Sequence, residues 1–388
     1  MIFRICLVVV GVALSGCALD APPAGSPPSV PTVKDKAAPA APKVAETHSS
    51  PSVKMLWMEH LRTGDWNAAP RLAEAVESGI FAVNTKSTEI AFMRPLAMSE
   101  RQARLWSEAL KVPNYGARVL LLSLVQRPEL LSETDHDGRG LMHWLVAKDQ
   151  TNLVQMLIGI GEVEGLSQAD AAGNYPIHLA RSAAMLKLLW NIVVPNPARR
   201  HTSLPAYAVK NHAGKTLLHL LAQQGNSDAV KIYVENLCPA PSNFVGRIYD
   251  SFLDSILDGR DQLLRSPLHY AAMSQSVVTL QALANCHSID LSATDSFGRT
   301  PLHYAVAHAD FVVGQALVKA AAGRFLTLEL NGRDAHDDTL MHIAVRCHNV
   351  AAQKFLFEAQ VRLNTRNVDG RAPFDPSFER GACDELSF

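Results

Sequence analysis

The chain has 388 residues, of which 48% are hydrophobic and 19% charged, and its formal net charge is −1. A charge this close to zero gives no general reason to expect nucleic acid or an acidic membrane surface as a partner. After the N-terminus, no segment stays apolar for the roughly 18 residues that a membrane-spanning helix needs, so the body is not predicted to cross a membrane.

The first predicted element is an export signal. Arg4 supplies a positive charge, and residues 5–14 form an apolar stretch that is too short to span a membrane but long enough for a secretory signal. The stretch closes on Leu14-Ser15-Gly16-Cys17, which resembles the lipobox of bacterial lipoproteins. The resemblance implies a signal peptide at 1–16 and a mature chain that begins at an acylated, palmitate-carrying Cys17. Stable membrane anchoring requires two signals, for example two acyl chains, and the three acyl chains of such a cysteine would exceed that requirement.

Residues 17–53 are predicted to be a lipid-anchored linker. The residue after the cysteine is Ala18, and in one common sorting rule an Asp there would retain the protein at the inner membrane. The expected location is therefore the outer membrane, facing the periplasm. The linker is rich in proline and alanine and cannot bury enough apolar surface to offset the entropy of ordering, so it is predicted to be an extended tether. At about 3 Å per residue it would reach roughly 100 Å.

Residues 54–134 carry weaker signals than the rest of the body. The segment from Val119 to Leu131 has the apolar spacing of a helix that leads into Asp135. We expect a helical N-terminal cap or degenerate copies of the unit that follows, because a solenoid needs atypical end units to cover its exposed faces.

From residue 135 onward, a short pattern ending in histidine recurs. The six histidines are His143, His178, His219, His269, His303 and His342. Each histidine marks one repeat, and the repeats are numbered 1 to 6 in this order. A turn such as Asp295-Ser-Phe-Gly298 precedes most of them, and apolar residues at helical spacing follow. Glycine tolerates the positive φ of the turn, while Thr and Pro suit the start of a helix.

This pattern is similar to the ankyrin repeat, which consists of a β-turn, an inner helix and an outer helix. The resemblance implies an all-α ankyrin-repeat solenoid over 135–388, with residues 366–374 as a degenerate seventh unit and C-terminal cap. The histidines are 34 to 50 residues apart, against a family period near 33. The excess predicts insertions near 191–210 and 239–260, where prolines also favour loops.

The histidines are predicted to be structural and not metal ligands. In ankyrin repeats they bond backbone and hydroxyl groups at the turns, and successive repeats lie about 10 Å apart, whereas zinc ligands lie about 2.1 Å from one ion. Gly214-Lys215-Thr216 resembles the end of a phosphate-binding loop, but Val209 stands where its first glycine should be. No cofactor and no catalytic activity are expected, although an enzyme without a recognisable motif remains an alternative.

The mature chain contains Cys238, Cys286, Cys347 and Cys383 beside Cys17. An oxidising periplasm would permit disulfides. However, Cys286 and Cys347 belong to different repeats, and cysteine is a common small apolar residue in helix packing. We expect mostly free, buried thiols, with a bridge between Cys347 and Cys383 as the exception.

Ankyrin domains bind proteins through the turn tips and the exposed ends of the inner helices, and the resemblance carries both regions to this chain. The tip positions are His136, Arg139, Lys215, Gln262, Leu263, Arg265, Ser296, Phe297, Arg299, His336 and Asp338. The inner-helix positions are Lys148, Gln223, Gln224, Met273, Ser274, His308 and Arg346.

Two features of these positions suggest what the partner contacts. Leu263 and Phe297 are apolar where water is expected, as interface anchors often are. The basic residues Arg139, Lys215, Arg265 and Arg299 suggest an acidic partner surface, the alternative being an ordinary solvated charged face.

The sequence therefore predicts a membrane-anchored module that binds another protein. The specific hypothesis is an immunity protein that neutralises a secreted antibacterial toxin such as a phospholipase, because that class has a similar layout. The alternative is an envelope scaffold or stress-protection adaptor.

Overall fold

The computed structural model describes residues 53–63, 81–83, 90–92, 98–195, 203–238, 256–308, 310–375 and 383. In these residues short helices follow one another with few strands, and the architecture is the predicted all-α ankyrin-repeat solenoid. The predicted signal peptide, Cys17 and the linker lie outside the described residues. Among the described helices, none is both long and apolar enough to cross a membrane.

Each of the six repeats contributes an inner and an outer helical segment. The inner segments are Leu141–Ala147, the single 3-10 turn Pro176–Leu179, Leu217–Gln223, Pro267–Met273, Pro301–Ala307 and Leu340–Arg346. The outer helices are Thr151–Gly159, Ala183–Leu189, Ser227–Leu237, Val277–Ala284, Val312–Gly323 and Val350–Glu358. Because inner segments pack on inner segments and outer helices on outer helices, their apolar faces form one continuous core.

In the described residues before repeat 1, α-helices lie at Val53–Thr63, Glu100–Ala109 and Tyr115–Gln126, and a 3-10 helix lies at Pro128–Ser132. The second begins with a capping box, in which the Ser99 hydroxyl and the Gln102 side chain satisfy each other's backbone N–H groups. The helix Tyr115–Gln126 is buried along most of its length and packs on Glu100–Ala109, while Val53–Thr63 contacts the inner helix of repeat 1, as expected of an end unit. This part also contains a short antiparallel pairing of Phe81–Val83 with Ile90–Phe92, which the sequence did not predict.

The turns use one hydrogen-bond plan throughout the solenoid. In repeat 5, Asp295 Oδ1 accepts hydrogen bonds from the backbone N–H groups of Phe297 and Arg299, both at 2.9 Å. Gly298 has φ +68°, the left-handed conformation that glycine adopts without steric cost. Neighbouring turns are joined by backbone hydrogen bonds, so the tips form a continuous edge.

The predicted insertion near 191–210 contains an antiparallel strand pair, Val193–Pro195 with Ser203–Pro205. Three aromatic side chains support its base. Trp190 stacks on Tyr207 with ring centroids 4.5 Å apart, and the buried Tyr233 meets both rings edge-on. Most of the predicted insertion near 239–260 lies outside the described residues.

The prediction of mostly free thiols is wrong. Cys238 is bonded to Cys286 with Cα atoms 5.8 Å apart, and Cys347 is bonded to Cys383. Cys238 and Cys286 each follow the outer helix of their own repeat, and stacking places the ends of successive outer helices side by side. The sequence reasoning compared Cys286 with Cys347, whose repeats are not joined in this way. The predicted exception, Cys347–Cys383, is present.

Candidate protein-binding surface

The motif histidines hold adjacent repeats together. In repeat 4, His269 Nδ1 accepts a hydrogen bond from the Ser266 backbone N–H at 3.1 Å, so the proton lies on Nε2, 3.0 Å from the Arg299 carbonyl of the next repeat. Burial lowers the pKa of His219, His269 and His303 to about 4, which keeps these rings neutral near pH 7. These geometries agree with the structural role predicted from the sequence.

The helix-capping threonines also serve the histidines. Thr300 occupies the N-cap position, but its hydroxyl lies 2.8 Å from His303 Nδ1 and bonds no helix N–H group. The predicted hydroxyl cap is therefore replaced by a hydroxyl–imidazole contact in this repeat. The cap residue and the histidine form one unit, which explains why both belong to the repeated pattern.

Two members of the predicted basic surface are buried ion-pair residues. Arg299 is 4% exposed, and its Nε donates to Asp334 Oδ2 of repeat 6 at 3.1 Å. Arg265 directs its Nε to Asp295 Oδ2 of repeat 5 at 3.6 Å, with its side chain 15% exposed. The prediction that these two arginines attract an acidic partner is wrong, because the turn aspartate of the next repeat already neutralises each of them.

The other two basic residues are also engaged within the solenoid. Arg139 Nε donates to Asp170 Oδ2 at 3.3 Å, with its side chain 32% exposed. Lys215 places its Nζ 4.4 Å from the centre of the Tyr270 ring and bonds Gln223 Oε1 at 3.1 Å. The four cations therefore contact their own or the following repeat instead of forming an open basic edge.

Some of the predicted inner-helix positions are also internal. Met273 is 3% exposed, because it packs between repeats at the end of its helix, and its assignment to the binding groove is wrong. Arg346 pairs with Asp338, which is 1% exposed and also accepts from Asn367 Nδ2 at 3.0 Å.

Gln224 and Lys148 are exposed, whereas Gln223, Ser274 and His308 are half-buried. The Nδ1 of His308 lies 2.8 Å from Gln275 Nε2. The accessible part of the predicted groove is thus polar, with few free charges among the positions proposed for it.

The apolar tip residues are exposed as expected. Leu263 is 41% exposed and Phe297 38% exposed. The Leu263 carbonyl accepts from the Ser296 N–H at 2.8 Å, and the Phe297 carbonyl accepts from the Ala335 N–H at 2.7 Å. Because these bonds join consecutive turns, the two side chains belong to one edge of the molecule.

Further along this edge, the Val368 N–H donates to the His336 carbonyl at 3.0 Å, and Val368 is 61% exposed. We give the name tip row to five exposed residues of this edge, Leu263, Leu264, Phe297, His336 and Val368. The exposed Gln262, Ser296 and Ala335 lie beside them in the same turns. The corresponding turn residues of repeats 1 to 3 are polar or small, such as Asp137, Ala172 and Ala213.

Leu264 is the tip residue that sequence reasoning missed. It has φ +57° and is 52% exposed, at the turn position that Gly298 occupies in repeat 5. A leucine in the left-handed conformation costs about 1 kcal/mol or more, and its exposure adds no compensating burial. Such a residue points to a function at this place. Alignment of the turns by their aspartates would have revealed it.

One group of described residues has metal-ligand geometry. Possible ligand atoms of Asp135, His136 and Asp137 lie within 4.8 Å of one another. Both carboxylate oxygens of Asp135 already accept hydrogen bonds. Its Oδ1 accepts from the Asp137 and Arg139 N–H groups, and its Oδ2 accepts from Trp144 Nε1 at 3.1 Å. We therefore assign this group to the turn and not to a metal centre.

Comparison with known proteins agrees with the geometry. A family model for ankyrin repeats, in three copies, matches residues 268–367, which run from the inner helix of repeat 4 to the start of the seventh unit. No curated protein matches the chain. Ankyrin repeats indicate a protein–protein interaction module, and this part of the chain carries them.

Proposed function

We propose that this protein is a lipid-anchored envelope protein that binds another protein through the tip row. The observation that carries the binding part is a row of exposed apolar side chains on an ankyrin scaffold whose neighbouring arginines, Arg265 and Arg299, are paired with aspartates of the next repeat. Leu263 and Phe297 supply apolar area at a rigid edge, where aromatic and aliphatic anchors contribute most to affinity. The partner surface that complements this edge is apolar and uncharged.

Two features support the envelope location. Cys17 follows a short apolar stretch with the pattern of a lipobox, as described above. The two disulfides fit an oxidising compartment, because disulfides are rare in reducing cytosol and persist in the periplasm and outside the cell. Export and disulfide formation are consistent with each other, and together they favour a periplasmic face for the solenoid.

The specific form that we propose is inhibition of a secreted antibacterial toxin, such as a phospholipase. A tethered binding module at the membrane would meet such an enzyme where it reaches its substrate. Binding through a tip edge would neutralise the toxin by covering its active site or its membrane-binding face. If the partner is a resident envelope protein, the same module would instead be a scaffold.

The binding proposal is tested by capture from envelope extracts and from the secretions of neighbouring strains. The wild-type chain is compared with the double variant Leu263→Ser, Phe297→Ser. The matched control is Val278→Ser, which removes an exposed apolar side chain from the outer helix of repeat 4. We expect one protein, identified by mass spectrometry, to bind the wild type and the control but not the double variant. Equal capture by all three would refute the tip row as the binding site.

The captured partner then separates the two roles. Loss of the hydrolytic activity of a secreted enzyme on addition of the wild-type chain, but not of the double variant, would support the immunity proposal. A resident envelope protein without such inhibition would refute it and support a scaffold.

The anchor is tested separately by the Cys17→Ser variant. Loss of the acceptor thiol prevents acylation, so we expect the protein to move from the membrane fraction to the soluble periplasmic fraction. Labelling of free thiols in denatured protein, before and after reduction, measures the disulfides in the same samples. Unchanged membrane fractionation would refute the acyl anchor.

A further inference from the structure

The loop after the outer helix of repeat 5 carries an aromatic side chain that faces solvent almost completely. Phe325 is 98% exposed, the highest value among the large apolar residues that the structure describes, and Leu326 beside it is 45% exposed. The loop follows the 12-residue helix Val312–Gly323, the longest of the six outer helices. It belongs to the outer layer, whereas the tip row belongs to the turns.

The backbone holds Phe325 in an unfavourable conformation. Its φ is +57°, at the position after a helix where glycine is usual. The Phe325 N–H donates to the Ala322 carbonyl at 3.0 Å and the Leu326 N–H to the Ala321 carbonyl at 2.9 Å, which closes the helix end. A bulky side chain that is both strained and exposed adds nothing to folding stability, so its place here points to a contact outside the chain.

The base of this loop is fixed to the preceding repeat. Arg324 donates from Nη1 to the Ile289 carbonyl at 2.9 Å and to the Cys286 carbonyl at 3.2 Å, and from Nη2 to the His287 carbonyl at 2.8 Å. Cys286 is in turn bonded to Cys238. Phe325 is thus presented from a rigid base, which reduces the entropy lost when it binds.

The charge around the loop is balanced. The exposed Lys319 and the half-buried Arg324 are matched by the exposed Glu329 and by Asp290, whose charge acts on Arg324. Protruding aromatic and aliphatic side chains without excess negative charge suit insertion at a lipid interface. The surface area that two side chains can bury is small compared with the roughly 1,000 Å² that a specific protein interface buries, which favours a lipid surface over a protein at this loop.

We propose that Phe325 and Leu326 insert into the lipid surface and thereby orient the solenoid against the membrane. The choice of a membrane as occupant rests on the proposed acyl anchor, which would keep a lipid surface within reach of the tether. Because that anchor supplies the attachment, the loop needs to provide only a second, weak signal that fixes orientation. The tip row would then be presented to its partner in one defined direction.

The test uses the full mature chain with Cys17→Ser, so that attachment depends on the body alone. Co-sedimentation with vesicles of phosphatidylethanolamine and phosphatidylglycerol measures its partition coefficient. We expect Phe325→Ser to lower this coefficient by about tenfold, because that is the scale of removing one buried aromatic side chain. The matched control is Phe357→Ser, at a 65% exposed phenylalanine within the outer helix of repeat 6, which should leave it unchanged.

A second measurement identifies the inserted residue. Phe325→Trp is compared with the unsubstituted chain, which has five tryptophans, for fluorescence quenching by brominated lipids. Extra quenching in Phe325→Trp is expected. Equal sedimentation of Phe325→Ser and the unsubstituted chain, or loss of protein capture instead of vesicle binding, would overturn the proposal. Because the assay omits acylation, a failed Cys17 anchor would appear in the fractionation experiment and not here.

Discussion

Repeats 4 to 6 and repeats 1 to 3 follow the same hydrogen-bond plan but present different side chains at their tips. In both halves a turn side chain accepts two backbone N–H groups, as Asp295 does in repeat 5 and Asp170 in repeat 2. At the tips, Leu263 and Phe297 of the C-terminal half stand where Ala172 and Ala213 stand in the N-terminal half. The hydrogen bonds of the scaffold are made at the aspartate and histidine positions. The tip side chains can therefore differ between repeats without changing the fold.

Repeat 2 differs from the other repeats in its inner segment, and the two halves differ in the burial of an ion pair. The inner segment of repeat 2 is one 3-10 turn, Pro176–Leu179, whereas the other five repeats have seven-residue inner helices. Arg299 is buried against Asp334 in the C-terminal half, while Arg139 stays partly exposed beside Asp170 in the N-terminal half. The C-terminal half is therefore expected to resist unfolding longer and to respond more sharply to core substitutions.

The largest expected effect is acid destabilisation of the central repeats. For His219, His269 and His303 the folded-state pKa of about 4 lies below the unfolded value near 6.5, so the unfolded chain binds more protons between these values. Stability falls as the pH decreases through this window, by about 2 kcal/mol per histidine at pH 5. Burial raises the pKa of Asp258 to about 6, which offsets part of the loss. Urea unfolding at pH 7 and pH 5 measures the difference. Equal free energies of unfolding at the two pH values would contradict the neutral state of the buried histidines.

The next effect distinguishes the ion pairs of the two halves. Arg299→Ala would leave the buried Asp334 without its partner, which we expect to cost about 3–5 kcal/mol of unfolding free energy. Arg139→Ala should cost less, about 1–2 kcal/mol, because Arg139 is 32% exposed and the buried Asp170 keeps its hydrogen bond from Asn174 Nδ2 at 3.2 Å. Urea unfolding of both variants at neutral pH gives the comparison. Equal losses of unfolding free energy in the two variants would show that the greater burial of Arg299 does not increase its contribution to stability.

Truncation of a core side chain tests the difference in stability between repeat 5 and repeat 2. Leu302→Ala in repeat 5 removes a 2% exposed side chain from the inter-repeat core, and we expect a loss of about 2–5 kcal/mol. Ile177→Ala at the equivalent place in repeat 2 should lie near the lower end, about 2 kcal/mol, because a single 3-10 turn can relax into the cavity. Calorimetry and urea unfolding provide the measurement. An unchanged transition for Leu302→Ala would be incompatible with this repeat register.

The smallest expected effect has the opposite sign. Leu264→Gly should raise the unfolding free energy by about 0.5–1 kcal/mol, because it relieves the left-handed strain at φ +57°. The same change should weaken capture of the partner, since it removes a tip-row side chain. Leu263→Ser is the control, with weakened capture and no gain in stability. A stabilised Leu264→Gly variant with full binding would show that the strained leucine has no part in recognition.

Structural predictions from the sequence were confirmed where each residue's role is local to its repeat. The Thr-Pro-Leu-His pattern located the inner helix of repeat 5, and the spacing of the histidines located an insertion near 191–210, although it did not predict the strand pair found there. Exposure of Leu263 and Phe297 also followed, because the tip of a turn faces solvent in any stacking of the repeats. The proposed roles of these residues in binding remain predictions.

Predictions were wrong where a side chain reaches into the neighbouring repeat. Arg265 and Arg299 were assigned to an open basic edge, since nothing in one repeat shows that the aspartate of the next lies at their guanidinium groups. Cys238 and Cys286 are 48 residues apart in sequence, and only the stacking of the outer helices brings them together. Met273 was placed in the groove for the same reason.

The sequence by itself determined the repeat unit, because turn chemistry, capping and helical spacing act within about 33 residues. The tertiary structure alone decided which cations are available to a partner, which cysteines are paired, and how Arg324 fixes Phe325 in the outer layer. The physical reason is that repeats make their energetically decisive contacts with their neighbours. The stacking geometry that sets those contacts is a property of the assembled solenoid and not of any single unit.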